Sequence, residues 1–334
     1  MSSPEPVLLT HQRSPGDIVC MTGAVRDLAV SHPGRFAIHI QSECPELWDH
    51  NPHIAGNWHT QPPRGISKIR VCCRPQLNAA NSIRLHYVTA FHRAISTALD
   101  LAIPVLQPHG DLHLTDEERE TPLIRGRYWY FVAGGKSDMV TKIWPEQFSH
   151  RLVPLLTDLG INLVQDGAAY PGHIHPVLAG VRRMVGQTSL RDVLRLIYHA
   201  DGVICPVTFA MHVAGAFSKP CVVIAGGREP WWWEGYSNSA DRHFGAQCSS
   251  VRVPHRFLHT QGMFDCCRDG GCWKTKLTAS LPGGQHDCLK PEADSTGVLS
   301  PACLRAITPE MVAEAVLSYY RDGTLEPLRN AVDS

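Results

Sequence analysis

The sequence lacks an excess of either charge, a long apolar run and any internal repeat. Its 31 basic residues are matched by 31 acidic ones over 334 residues, which argues against a broadly basic surface for nucleic acid and leaves room only for a local patch. No uninterrupted apolar stretch reaches the length of a membrane span; the closest, Gly202 to Ser218, is broken by Pro206 and His212. The opening stretch MSSPEPVLLTHQRSPGD has no basic segment followed by a long apolar core. It does not read as a secretory signal, and the expectation is a cytoplasmic protein. No low-complexity segment interrupts the chain. With 43% hydrophobic and 19% charged residues, the length is that of a well-buried protein of two ordinary domains.

What is present is a series of short α/β units, clearest over residues 186–227. Ser189 to His199 spaces Leu190, Val193, Leu194 and Ile197 as the apolar stripe of a helix, with Thr188 or Ser189 placed to cap it. Asp201-Gly202 ends that helix, and Val203-Ile204-Cys205 reads as a parallel strand buried on both faces. Pro206-Val207-Thr208 then turns the chain into a second helix near Phe209 or Ala210, with Met211 and His212 in its first turn. A strand that delivers a hydroxyl residue to a helix N-terminus presents free N–H groups and the positive end of a dipole. That chemistry holds phosphate. The plain alternative is a strand–turn–helix unit that binds nothing.

Two halves are separable. In the first, Pro15-Gly16-Asp17-Ile18-Val19 turns into a helix over Cys20 to Ala29. Phe36 to Ile40 and Ile69 to Cys72 read as strands, and residues 82–101 as a helix with Val88, Phe91, Ile95 and Leu99 on one face. Residues 104–124, rich in Pro, His and acids, read as the connection. The second half opens with a strand over Tyr128 to Val132 that ends in Ala133-Gly134-Gly135-Lys136. A helix over 146–158, a strand over Ile161 to Gln165 and the unit described above follow, the last closing at Gly226-Gly227. A terminal helix over Ile307 to Tyr320 has Thr308 as cap and Pro309 at its first position. This alternation predicts parallel sheets covered by helices on both faces. The expected division is residues 1–125, residues 126–305 and a helix and tail over 306–334.

Twelve cysteines do not make a disulfide scaffold in such a chain. Seven are scattered from Cys20 to Cys248, and five crowd into residues 266–303. Cys267, Cys272, Cys288 and Cys303 are four separated ligand positions with Cys266 to spare, and Gly270-Gly271 allows a tight turn between them. The intervening segments are too polar and Pro/Gly-rich to bury a core of their own, so a structural tetrathiolate iron or zinc site is expected to hold them. Free thiols or disulfides are the alternatives. Trp231, Trp232 and Trp233, with Trp273, flank this region; three consecutive tryptophans cannot face one core, so at least one is expected at a surface.

The order G-x-T-S-L, A-D, then T-x-x-M-H-x-A-x-A-F-x-K-P over residues 186–220 resembles the C-terminal half of the family 9 glycosyltransferases, the ADP-heptose heptosyltransferases. Thr208, Met211 and His212 match that family's D-[ST]-G-x-[MS]-H turn, with Val207 and Phe209 standing where it has Asp and Gly. Gly16-Asp17, His32-Pro33, Asn51-Pro52-His53-Ile54 and Lys142-x-Trp144-Pro145 match its G-D, P, N-P-x-I and K-x-W-P landmarks, in order. The resemblance covers most of residues 15–227.

It implies an α/β GT-B architecture, two facing Rossmann-like domains with a cleft between them. It also implies an inverting transfer of sugar, with ADP-heptose the favoured donor, to a saccharide or protein hydroxyl. Asp17 would be the catalytic base; its plain alternative is to cap the first helix. Lys142 would be the cation for the donor diphosphate, and Thr208 with the N–H groups of Ala210 and Met211 its cradle. His212 would bond phosphate or pin the turn, and Gly226 and Gly227 would allow close approach of the diphosphate or serve the turn alone. The sequence has no D-x-D motif, and no catalytic divalent metal is expected. A cysteine-bound iron finger is known in the branch that modifies autotransporter proteins, which tilts the metal towards iron and leaves room for a homo-oligomer. A non-catalytic nucleotide-binding protein, or a metal-stapled scaffold with the same fold, is the rival expectation.

Overall fold

A computed structural model describes residues 3–12, 14–58, 65–236, 253–272 and 288–328. Cys248 and Trp273 lie outside the described residues. The first half forms a four-stranded sheet from β1 (Glu5–His11), β2 (Phe36–Ser42), β3 (Gly56–Asn57) and β4 (Ser67–Arg70), in the order β3-β2-β1-β4 and parallel throughout. Helix α1 (Pro15–Ser31) follows β1, and α2 (Arg74–Asn78) and α3 (Tyr87–Leu99) follow β4. The connection carries one short helix, α4 (Asp116–Glu120).

The second half forms a six-stranded parallel sheet in the order β12-β11-β10-β5-β7-β9. Its strands are β5 (Trp129–Phe131), β7 (Leu163–Gln165), β9 (Arg182–Arg183), β10 (Gly202–Pro206), β11 (Cys221–Gly226) and β12 (His255–His259). Between them lie α5 (Glu146–Thr157), α6 (Leu190–His199), α7 (Phe209–Ala216) and the short α8 (Trp231–Glu234). Two small antiparallel pairs, β6 (Gly135–Lys136) with β8 (His173–Ile174) and β13 (Pro291–Ala293) with β14 (Leu299–Pro301), decorate it. The helix Pro309–Arg321 packs on α5.

Side-chain alternation divides the second sheet between two cores. Tyr130, Val203, Cys205, Cys221 and Val223 face the side that carries α1 and α7 and join one continuous cluster with Val7, Leu9 and Ile38 of the first sheet. Phe131, Ile204, Val222 and Ile224 face the opposite side, with α5 and the helix Pro309–Arg321. The two sheets therefore share apolar surface through the α1–α7 contact, and polar contacts flank it. Arg191 of α6 pairs with Glu118 of α4, and Asn81 and Gly271 exchange two hydrogen bonds of 2.9 Å.

The helix ends follow local chemistry. Ser189 caps α6 in a capping box with Asp192, and Thr308 accepts from the Met311 N–H at 3.3 Å. Helix α1 begins five residues before the Cys20 expected from the sequence, because Pro15 is preorganised for the first turn. The helix expected over 82–101 begins only at Tyr87, where the His86 ring accepts from the Val88 N–H at 3.2 Å. No bounds were expected for β1 or β12; β1 has a short apolar centre before a turn, and β12 carries His255, Arg256 and His259 among its five residues.

Candidate functional site

Parallel strands deliver their helices at one sheet edge, and α1 and α7 start there from the two sheets, facing each other. The approach is tight: a Cβ on Gly16 would sit 3.1 Å from the His212 ring. Two helix N-termini thus open on one cleft, each with a partial positive charge.

Asp17 is the third residue of α1, and Ser14 holds the cap position, so Asp17 does not cap from outside the helix. Its carboxylate accepts from the Ser14 hydroxyl at 3.1 Å, and the His11 Nε2 lies 3.6 Å away. Burial raises its pKa, but hydrogen bonds from His11, Tyr87 and Ser14 outweigh that and hold the carboxyl below its ordinary value. It stays ionised, with its side chain 19% exposed. His11 is itself fixed by a 2.9 Å bond to the Val71 carbonyl, just past β4.

Lys142 comes from the segment Ser137–Lys142 and reaches the turn before α7, where Nζ donates to the Val207 carbonyl at 3.3 Å. It also lies 3.1 Å from Glu229 Oε1. Burial, with the Arg228 guanidinium nearby, pushes the Lys142 ammonium down. Thr208 is the cap residue of α7, yet its side chain makes no capping bond. The Met211 N–H is taken by the Thr208 carbonyl at 3.1 Å, as in a tightened first turn, so Phe209 and Ala210 carry the unpaired N–H groups of this terminus among the described residues.

His212 is buried between the halves. Its Nδ1 lies 3.0 Å from the Tyr236 hydroxyl and 3.4 Å from Cys20 Sγ. Burial lowers its pKa to about 4, so the ring is neutral. Its Nε2 is 3.6 Å from Glu234, a buried carboxyl on α8 that the sequence reading did not single out. His11, Tyr87 and Tyr236 were also missed. The one available signal was Glu234 itself, an acid at the end of a tryptophan run.

Gly226 and Gly227 face the cysteines. A Cβ on Gly227 would lie 2.7 Å from Cys267 Sγ, and one on Gly226 3.1 Å from Cys303 Sγ. Cys266, Cys267, Cys272, Cys288 and Cys303 line one small pocket with Gly227, Phe264 and Lys290. Burial and the neighbouring thiols push Cys272 up to about 12 and Cys303 up to about 11, a cost that a bound cation would reverse. Among the described residues no three ligating side chains are close enough to hold a metal ion as they stand. The tryptophans divide as their crowding requires: Trp232 and Trp233 are buried, and Trp231 is partly exposed and stacks on His259.

The neutral total charge concealed a local asymmetry. Residues 50–99 contain Arg64, Lys68, Arg70, Arg74, Arg84 and Arg93 and no Asp or Glu. Lys68, Arg70, Arg74 and Arg84 are exposed along β4 and the α2–α3 connection, on the Asp17 side of the cleft. Arg84 lies over the Trp232 ring at 5.3 Å.

Solved structures share this architecture. A glycosyl transferase of family 9 from Veillonella parvula DSM 2008 matches with a TM-score of 0.61 at 12% identity, over 96% of this chain and 99% of its own. The E. coli ADP-heptose LPS heptosyltransferase II matches at 0.57 and 15%, over 96% and 100%. TibC, an iron-containing dodecameric glycosyltransferase of enterotoxigenic E. coli H10407, matches at 0.63 and 14%, over 96% and 77%. At such identities the likeness is one of fold, the GT-B arrangement. No curated protein matches the sequence. The sequence pattern of glycosyltransferase family 9 (heptosyltransferase) matches residues 74–253, more than half of the chain. With that match over more than half of the chain, and the fold over nearly all of it, the chain belongs to glycosyltransferase family 9, the heptosyltransferase family.

Proposed function

We propose that this enzyme transfers a heptose with inversion from ADP-heptose to an acceptor hydroxyl, in one displacement across the cleft. The observation that carries the reading is the meeting of α1 and α7, which sets Asp17 on one side and Lys142 with the Thr208–His212 turn on the other. Asp17 takes the proton of the acceptor hydroxyl as its oxygen attacks the anomeric carbon. The bond to the diphosphate breaks on the opposite face. Lys142, the Thr208 hydroxyl and the first N–H groups of α7 meet the charge of the leaving group. The family and the ADP-heptose transferase among the structural neighbours support the donor; Gly226 and Gly227 act here by seating the cysteines under the Arg228–Glu229 turn.

On this reading residues 1–125 bind the acceptor and residues 126–305 the donor. The exposed Lys68, Arg70, Arg74 and Arg84 favour an acceptor that carries acidic groups. Cys267, Cys272, Cys288 and Cys303 would hold a structural iron or zinc ion, with Cys266 beside them, and TibC supports iron. Such an ion would supply cross-linking and no catalytic step. A cytoplasmic location and a homo-oligomer fit the same reading.

The test is a panel of nucleotide sugars incubated with the enzyme and acidic or neutral saccharide acceptors, read by nucleoside diphosphate release and product NMR. ADP-heptose consumed fastest, with inverted anomeric configuration, is the expected outcome. Retention of configuration, or preference for another nucleotide sugar, would contradict it.

A further inference from the structure

Three carboxyls face the cleft, and they are not equally provided for. Asp17 on α1 accepts from the Ser14 hydroxyl at 3.1 Å, and with His11 Nε2 3.6 Å away and Tyr87 nearby its carboxyl is held below the ordinary value. Glu229 is held by Lys142 at 3.1 Å and by Arg228. Glu234 on α8 is 5% exposed, and its Oε2 accepts no hydrogen bond among the described residues; the His212 Nε2 lies 3.6 Å from it. A buried carboxylate without a donor is the costliest of the three to keep ionised.

The cations of this cluster are Arg228 and, in its protonated form, Lys142, whose ammonium is pushed down to about 7 by burial and by Arg228. With all three carboxyls ionised the cluster already carries one more negative than positive charge. A nucleoside diphosphate adds at least two negative charges to a site walled off from water. The least stabilised anion is then the one to be discharged.

We propose that Glu234 takes up one proton when a nucleoside diphosphate enters the cleft, and that the resulting neutral acid is a hydrogen-bond donor beside His212 and the diphosphate. The inference rests on the reading of this cleft as the diphosphate site. One proton passes from the buffer to Oε2 and forms an O–H bond; nothing else is made or broken. The groups facing Glu234 are Asp17 and Cys20 on α1, Tyr87 on α3, Lys142, His212 on α7, Arg228 after β11 and Tyr236. Burial already lifts Glu234 to about 7, and an incoming anion lifts it further. Neutral His212 does not oppose this. Glu234 is thus a positioning residue whose charge state is linked to donor occupancy.

The experiment is calorimetric titration with ADP at pH 8 in buffers of different ionisation enthalpy, on wild type, Glu234→Gln and His212→Asn. Wild type and His212→Asn should take up close to one proton per ADP, and Glu234→Gln none. Between pH 8 and 9 the wild-type affinity should fall by up to about tenfold, while that of Glu234→Gln stays flat. Infrared difference spectra of wild type should show a protonated carboxyl band appearing with ADP, which decides the matter even if the variant does not fold. Uptake that persists in Glu234→Gln assigns the proton to Lys142 or His212 and overturns the inference, as does buffer-independent heat or a missing band. Failure of ADP to bind at all is a different result: it overturns the donor reading itself, and this inference with it.

Discussion

Asp17→Asn should lower kcat by about 10²- to 10⁴-fold, the range of a lost general base, and leave ADP affinity within about threefold. The variant keeps the shape of the side chain and the contact with Ser14, and removes only the negative oxygen that can take a proton. His11, Tyr87 and Ser14 all hold the ionised form, and their convergence on one carboxylate is more than an ordinary first-turn residue needs. A purely structural Asp17 gives a different pattern: lower thermal stability with unchanged turnover per folded molecule. The pH dependence separates the two further. Because the folded carboxyl is held below its ordinary value, its stabilisation is complete at neutral pH and is lost as pH falls through the acid range. Asp17→Asn should therefore flatten the acid limb of stability while lowering turnover at neutral pH by that same factor.

Removal of the metal should have the second large effect. Wild type is expected to carry about one iron or zinc ion per chain, and Cys272→Ser to lose it. If one lost ligand costs about 3 kcal/mol, Tm should fall by roughly 6–12 °C. The effect should reach the donor site through the backbone. The Cys272 N–H bonds the Gly227 carbonyl at 3.3 Å, and Gly271 lies so close under Arg228 that a Cβ there would meet its carbonyl at 2.3 Å. Loosening that segment frees the Arg228–Glu229 turn and with it the partner of Lys142. Weaker ADP binding in the metal-free protein, measured by calorimetry beside elemental analysis, is the expected pair of results. Metal content untouched by the serine variant would remove these thiols from the ligand set.

The second half was legible where local chemistry and periodicity agree. The helix after Ser189 carries its own cap, and it, the buried strand 202–206 and the Thr208 turn stand within a residue or two of expectation. β1 was not legible, since its apolar core is short and sits between a proline-rich start and a turn. β4 lies two residues earlier than expected, over 67–70, because the chain turns away once the Val71 carbonyl has met His11. Motif order singled out Asp17, Lys142, Thr208 and His212, and the fold does gather them at one cleft. Nothing in the sequence could show that His11, Tyr87, Tyr236 and Glu234 would surround them, because these contacts depend on how two separate sheets meet. The glycine pair at 226–227 fits either close approach of the diphosphate or the turn alone; a Cβ on either residue would crowd Cys267 or Cys303.

The most direct test of the account is calorimetric titration of ADP-heptose into wild type and Lys142→Ala. Saturable one-to-one binding, weakened by about 10- to 100-fold in the variant, is the predicted result for loss of one charge-assisted contact to the diphosphate. Equal affinity in the two proteins would place the diphosphate away from Lys142 and contradict the site as described here.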